Sequence, residues 1–115
     1  MNYEEMSDFD IAVELKNYVK GSFSVYADHR MPFVLCEDTN EEFDPCNNPD
    51  DMWPIIVEHD ITVSPSEGAW IHDGKPHGYN SDSYEIGKLY EYYDKNPLRA
   101  AAIVFLMMKD AEKAQ

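Results

Sequence analysis

The sequence predicts an α+β domain: three helices packed on a small, mainly antiparallel sheet of four or five strands, with the C-terminal helix central. Three observations carry this. A proline follows an N-cap residue twice, at Asn48-Pro49 and at Asn96-Pro97, and that pair opens helices. Short runs of alternating polar and apolar residues, bounded by Gly, Pro and Asp, fill the stretches between. Residues 98–108 are apolar except for Arg99, so the last helix has no face to offer water and belongs inside. The 115 residues suit a single domain over 1–115, and 43% hydrophobic with 13% aromatic residues is far richer than compositions that stay disordered.

Taken in order, Ser7 is an N-cap, Asp8 and Asp10 sit in the positive first turn, and Phe9, Ile11, Ala12, Val13, Leu15 and Val19 give an apolar stripe. A helix over residues 8–19 follows, stopped by Gly21. Residues 23–27 and 32–36 read as a hairpin about an Asp28-His29-Arg30 turn. From 37 to 51 there are seven acids in fifteen residues, with Asn40, Asn47, Asn48, Pro45 and Pro49 among them, so this is a loop. A second helix runs from Pro49 to about residue 58 and buries Trp53, Ile56 and Val57; Pro54 cannot donate back to Asp50, which predicts a short or bent helix. Ile61 and Val63, a turn at 64–68, and Ala69, Trp70 and Ile71 read as a second hairpin, and residues 72–83 as a polar loop. Residues 84–93 fit either period: Ile86, Leu89, Tyr90 and Tyr93 suit a helix, whereas Tyr84, Ile86, Tyr90 and Tyr92 share one face of a strand. Tyrosine density and Gly87 favour the strand. In the last helix Ala100, Ala101 and Ala102 allow close approach of a neighbour, and Phe105, Leu106 and Met108 fill the space beyond.

Charge narrows the functions. With 23 acidic against 9 basic residues the net charge is −14, which argues against direct nucleic-acid binding and against anionic membrane surfaces. The acidic start, with Glu4, Glu5, Asp8 and Asp10, is not a secretory signal, and the longest apolar run, nine residues from Ala100 to Met108, is about half of the ~18 a spanning helix needs. A cytoplasmic protein with two free thiols, Cys36 and Cys46, is the expectation.

No motif of catalysis or metal binding stands out. His72 and His77 have no common zinc spacing, Cys36 and Cys46 form no CxxC, and residues 38–49 resemble a calcium loop only in acidity, since its sixth position is Phe43 and its twelfth Pro49. GxSxG, Walker and GxGxxG patterns are missing, so no enzyme, cofactor or metal is expected. Arg99 is the most informative single residue: a permanent cation on an apolar helix pairs with a carboxylate, exits at the helix end, or binds an anion. A structural pair is the first expectation, and anion binding is the alternative. Trp53 suits core packing, with an interface anchor as the other reading. The loop acids Glu37, Asp38, Glu41, Glu42, Asp44 and Asp51, with Asn47 and Trp53, form the candidate partner-binding patch, against the plain reading of a solvated loop.

Two stretches carry a resemblance that periodicity does not supply. Asp44-Pro45-Cys46-Asn47-Asn48-Pro49-Asp50-Asp51-Met52-Trp53-Pro54-Ile55-Ile56-Val57-Glu58 and Asn96-Pro97-Leu98-Arg99-Ala100-Ala101-Ala102-Ile103-Val104-Phe105-Leu106-Met107-Met108 resemble the phage NinX family, small accessory proteins of lambdoid phages and enteric prophages, and the opening from Tyr3 to Val13 is similar too. The resemblance implies a phage or prophage origin and a place in the host cytoplasm, and brings no biochemical activity with it. The leading expectation is a non-enzymatic accessory protein that binds and modulates a host or phage protein, the partner being basic where it meets the acidic patch. The alternatives are a DNA mimic that inhibits a nucleic-acid enzyme and a small-ligand protein, for example for a nucleotide, using Arg99.

Overall fold

Ser7 starts the first helix, α1 (Asp8–Leu15), through a reciprocal capping box: its hydroxyl accepts from the Asp10 amide at 3.0 Å while the Asp10 carboxylate accepts from the Ser7 amide at 3.0 Å. The predicted helix to residue 19 ends as an α-helix at Leu15, and a 3₁₀ turn, Lys16–Tyr18, tightens its exit. Gly21 follows at φ +133°, where a Cβ would also lie 2.8 Å from the Asp38 carboxylate, so this turn requires glycine. The computed structural model describes residues 2–28, 30–65, 78–85 and 87–113.

The first hairpin forms as expected, β1 (Phe23–Tyr26) pairing antiparallel with β2 (Phe33–Cys36). The region read as a loop over 37–51 holds a third strand, β3 (Glu41–Phe43), paired with β2. Asn40 makes the reversal at φ 59°, a conformation asparagine tolerates, and its amide donates to the Cys36 carbonyl at 2.8 Å. Only Phe43 of this strand is buried, so no alternation betrayed it.

α2 (Pro49–Glu58) opens at Asn48, whose side chain accepts from the Asp50 amide at 3.1 Å, and it continues through Pro54 without a break. The predicted buried face needs correction. Met52, Ile55 and Ile56 form the core stripe, while Trp53 is 63% and Val57 57% exposed. Two i, i+4 stripes compete on this helix, and the one beside Pro54, where a carbonyl lacks its intrahelical donor, faces water. The helix ends in a Schellman arrangement: Asp60 takes φ 52° and the Ile61 amide reaches the Ile56 carbonyl at 3.0 Å.

The second sheet also departs from expectation. β4 (Thr62–Pro65) pairs with β5 (Tyr79–Glu85), which occupies much of the predicted loop 72–83; the expected partner, Ala69 to Ile71, lies outside the described residues. β5 pairs antiparallel with β6 (Lys88–Asp94), so 84–85 and 88–93 are strand, as favoured, but they belong to two strands. Among the described residues six strands form two antiparallel sheets, β1-β2-β3 and β4-β5-β6, rather than one sheet of four or five.

α3 (Pro97–Lys113) packs on β5, β6 and β4 of the second sheet and touches α1 and α2, and α1 in turn meets β2 of the first sheet. Its residues from Ala100 to Leu106 are all buried, as the central placement predicted. The facing positions on β5 are Ser81 and Ser83, small and buried, and small side chains on both surfaces let helix and sheet lie close. Phe105 fills the middle, with the Tyr18 ring 5.5 Å and the His59 ring 4.8 Å from its own, both edge-on.

Candidate functional site

The two stretches singled out in the sequence meet in space, around Arg99. Asn96 caps α3, its side-chain oxygen Oδ1 accepting from the amides of Leu98 at 2.9 Å and Arg99 at 3.3 Å, and its side-chain nitrogen donates to the Cys46 carbonyl at 2.6 Å. One turn into α3, the Arg99 side chain is 13% exposed. Its Nε donates to Asp94 and its Nη1 to Asp8, each at 3.0 Å, while Nη2 donates to the carbonyls of Tyr3 at 3.1 Å and Met6 at 2.6 Å. Asp8 is held from the other side by the Asn47 amide at 3.0 Å, which also reaches Asp44 at 2.9 Å, and the Asp44 backbone amide donates to Asp51 at 2.9 Å. A closed circuit results, running from the loop before α2 through α1 and the end of β6 to the start of α3 and back.

Burial works against the Arg99 charge, but the hydrogen bond to Asp8 and the field of Asp94 outweigh it and hold the guanidinium more firmly protonated than usual. Within the circuit the Cys46 thiol is pushed up by burial and by the nearby Asp8 carboxylate, against a smaller opposing effect of Arg99, and stays protonated. Tyr3, whose hydroxyl donates to Asp110, ties the opening segment to the far end of α3. Arg99 therefore has the geometry of the structural pair. An external anion would have to displace Asp8 or Asp94, and the anion-binding reading of Arg99 has no open cation to rest on.

The candidate patch divides accordingly. Asp44, Asn47 and Asp51 belong to the circuit; Glu37 accepts from the Ser24 hydroxyl and Asp38 from the Ser22 amide at 2.9 Å, so both brace the first hairpin. Glu41, Glu42 and Trp53 are left facing solvent. Glu41 and Glu42, with Asp44, Asn47, Asn48 and Asp50, line an open, acidic groove of about 590 Å³. Beside it a pocket of about 200 Å³ has Val19, Phe23, Phe43 and Ile55 among its lining, Glu41, Glu42, Asp50 and Asp51 as its carboxylates and Lys20 as its one cation. Asp51 is raised above the usual carboxylate range, chiefly by burial and then by the charges of Asp44, Asp50 and Glu41, though the Asp44 amide opposes this. From residue 31 to residue 74 the chain contains no Lys or Arg, so nothing within that stretch offsets the field.

Sequence reasoning missed Asp94 and Asp8 as the partners of Arg99, because Asp8 lies 91 residues away and reads locally as a helix-start acid. It also missed Val57, the exposed companion of Trp53 one turn on. Among the described residues no group of three or more His, Cys, Asp or Glu is placed to hold a metal ion, and no helix is long and apolar enough to cross a membrane. Cys36 and Cys46 are free thiols.

No curated protein and no solved structure matches the chain. A family model, that of bacteriophage P22 NinX, matches residues 2–109 and so takes in every member of the Arg99 circuit. With nearly its whole length matched, and with the two stretches that first suggested the resemblance locked together by Asn96, Arg99, Asp8 and Asn47, this chain belongs to the phage NinX family.

Proposed function

We propose that this phage accessory protein is a non-enzymatic binding protein of the host cytoplasm, which docks a basic surface of a host or phage protein on the acidic face of β3 and α2 and modulates it. One observation carries the reading: Glu41, Glu42 and Asp50 line an acidic groove, and α2, which supplies Asp50, also exposes Trp53 and Val57, with no Lys or Arg between residues 31 and 74. Such a face steers a basic partner by its field and offers an aromatic anchor once contact is made. A DNA mimic would present carboxylates alone; the exposed apolar pair on the same helix as Asp50 favours a protein surface over phosphate mimicry.

The test is affinity capture of the tagged protein from infected-host lysate at low and high salt, with a variant carrying amides at Glu37, Asp38, Glu41, Glu42 and Asp44. A partner retained at low salt, released at high salt and missed by the variant supports the reading. A partner held equally by the variant removes the acidic face from it, and a captured nuclease whose DNA competes would move the assignment to mimicry.

A further inference from the structure

Among the described residues the two sheets have four edge strands, β1, β3, β4 and β6, and these are not protected alike. β3 is three residues long and carries Glu41 and Glu42; β4 ends in Pro65; β6 carries Lys88, Glu91 and Asp94. Short length, proline and charge are the usual means by which an edge avoids recruiting another strand. β1, Phe-Ser-Val-Tyr over 23–26, has neither charge nor proline, and Val25 and Tyr26 are 41% and 43% exposed.

The pairing register fixes what this edge offers. The Glu37 amide donates to the Ser22 carbonyl, so Ser22, Ser24 and Tyr26 spend their backbone groups on β2, while those of Phe23 and Val25 point outward. The side chains of Val25 and Ala27 line one wall of a groove of about 380 Å³ whose other wall is Met6, Phe9 and Val13 of the α1 segment. Asp10 and Glu14 stand on its rim. A helix beside an unprotected edge strand, with an apolar groove between them, is the arrangement by which sheets accept an added strand, the backbone supplying affinity and alternate side chains supplying selectivity.

We propose that β1 and this groove take an extended segment of a basic partner protein as a fourth strand, with an apolar side chain entering beside Phe9 and Val25 and a Lys or Arg two residues along, on the same face, meeting Asp10 or Glu14. Charge selects this occupant over a second copy of the chain, which would bring another −14 and the same two rim acids to the contact. The inference shares the protein-binding reading above but not its acidic face, so the two can fail separately.

The probe is the capped peptide Thr-Lys-Thr-Val-Thr-Lys-Thr, titrated into ¹⁵N-labelled protein. The residue opposite Val25 in an added antiparallel strand exchanges hydrogen bonds with it and points its side chain into the groove, so this is the valine, and the lysines two residues to either side share its face and reach the rim acids. N-methylation of the valine should therefore weaken binding about tenfold, the loss of one or two net hydrogen bonds, whereas N-methylation of the threonines should leave it nearly unchanged. The amides of Phe23 and Val25 should shift and gain exchange protection, in a variant carrying only Glu41→Gln and Glu42→Gln as in the parent, and Val25→Lys, at a position 41% exposed, should abolish these shifts. Equal binding by the two methylated peptides, shifts confined to β3 and α2, or no shift at millimolar peptide would overturn the proposal. A free protein that sediments as a dimer and is split by Val25→Lys would give the edge to a second copy instead.

Discussion

The Arg99 circuit and the outer face of β3 and α2 are made from the same residue type and do opposite things. Asp8, Asp44 and Asp94 each accept from a donor the fold supplies, a guanidinium or an amide, and so tie four parts of the chain together. Glu41, Glu42 and Asp50, a few residues away, surround a groove that no cation from residues 31–74 enters. A carboxylate is structural where a donor meets it and a source of field where none does. Composition cannot tell the two apart, and stability can.

The largest effect should come from removing the cation. Arg99→Met leaves Asp8 and Asp94 facing each other around an apolar side chain, and should cost about 3 kcal/mol, the lower end for a broken buried pair because Asp8 is 43% exposed. Urea unfolding would measure it, and Arg99→Lys should recover only part, since one ammonium cannot span Asp94, Asp8 and two carbonyls. A loss under about 0.5 kcal/mol for Arg99→Met would place the circuit with ordinary surface pairs.

Next comes the cap. Asn96→Ala removes both the acceptor for the Leu98 and Arg99 amides and the donor to the Cys46 carbonyl, and about 1–2 kcal/mol should be lost. On the outer face the expected stability change is smaller while the binding change is larger: Trp53→Ser, at a residue 63% exposed, should alter unfolding by no more than about 0.5 kcal/mol and yet reduce partner capture. Loss of stability instead would mean that Trp53 packs in solution, as its sequence context suggested.

The contrast also explains what the sequence made legible. α1 and α3 were readable because Ser7 and Asn96-Pro97 act within a few residues of themselves, and the middle position of α3 followed from its having no polar face. β3 and β5 were not, since β3 buries only Phe43 and the buried positions of β5 include two serines, Ser81 and Ser83, the second donating to the His59 carbonyl at 3.0 Å, where an apolar alternation was looked for. Burial on α2 was misassigned because Trp53 and Val57 are spaced as well for a core stripe as Met52 and Ile56. The candidate patch was half legible. Its acidity could be counted, but which acids were committed to the circuit depended on Arg99 meeting Asp8 across 91 residues and on Asn47 reaching the same carboxylate.

Asp51 sits on the boundary between the two regions, and its titration gives the smallest and sharpest test. It accepts from the Asp44 amide as circuit members do, yet burial and the surrounding carboxylates raise its pKa as the outer face would. An acid whose folded pKa is raised binds more protons folded than unfolded over the interval between the two values, so its contribution favours the fold at low pH and is lost as pH rises through the folded value. Asp51→Asn keeps an oxygen for the Asp44 amide and deletes the charge. Near neutral pH the variant should be at least as stable as the parent, by about 0.5 kcal/mol or less, and the advantage should vanish below the unfolded carboxylate range near pH ~3.9. Denaturant midpoints for the pair between these limits would show the difference growing with pH. A variant that is less stable throughout would instead assign Asp51 wholly to the circuit, with its charge needed by the Asp44 amide.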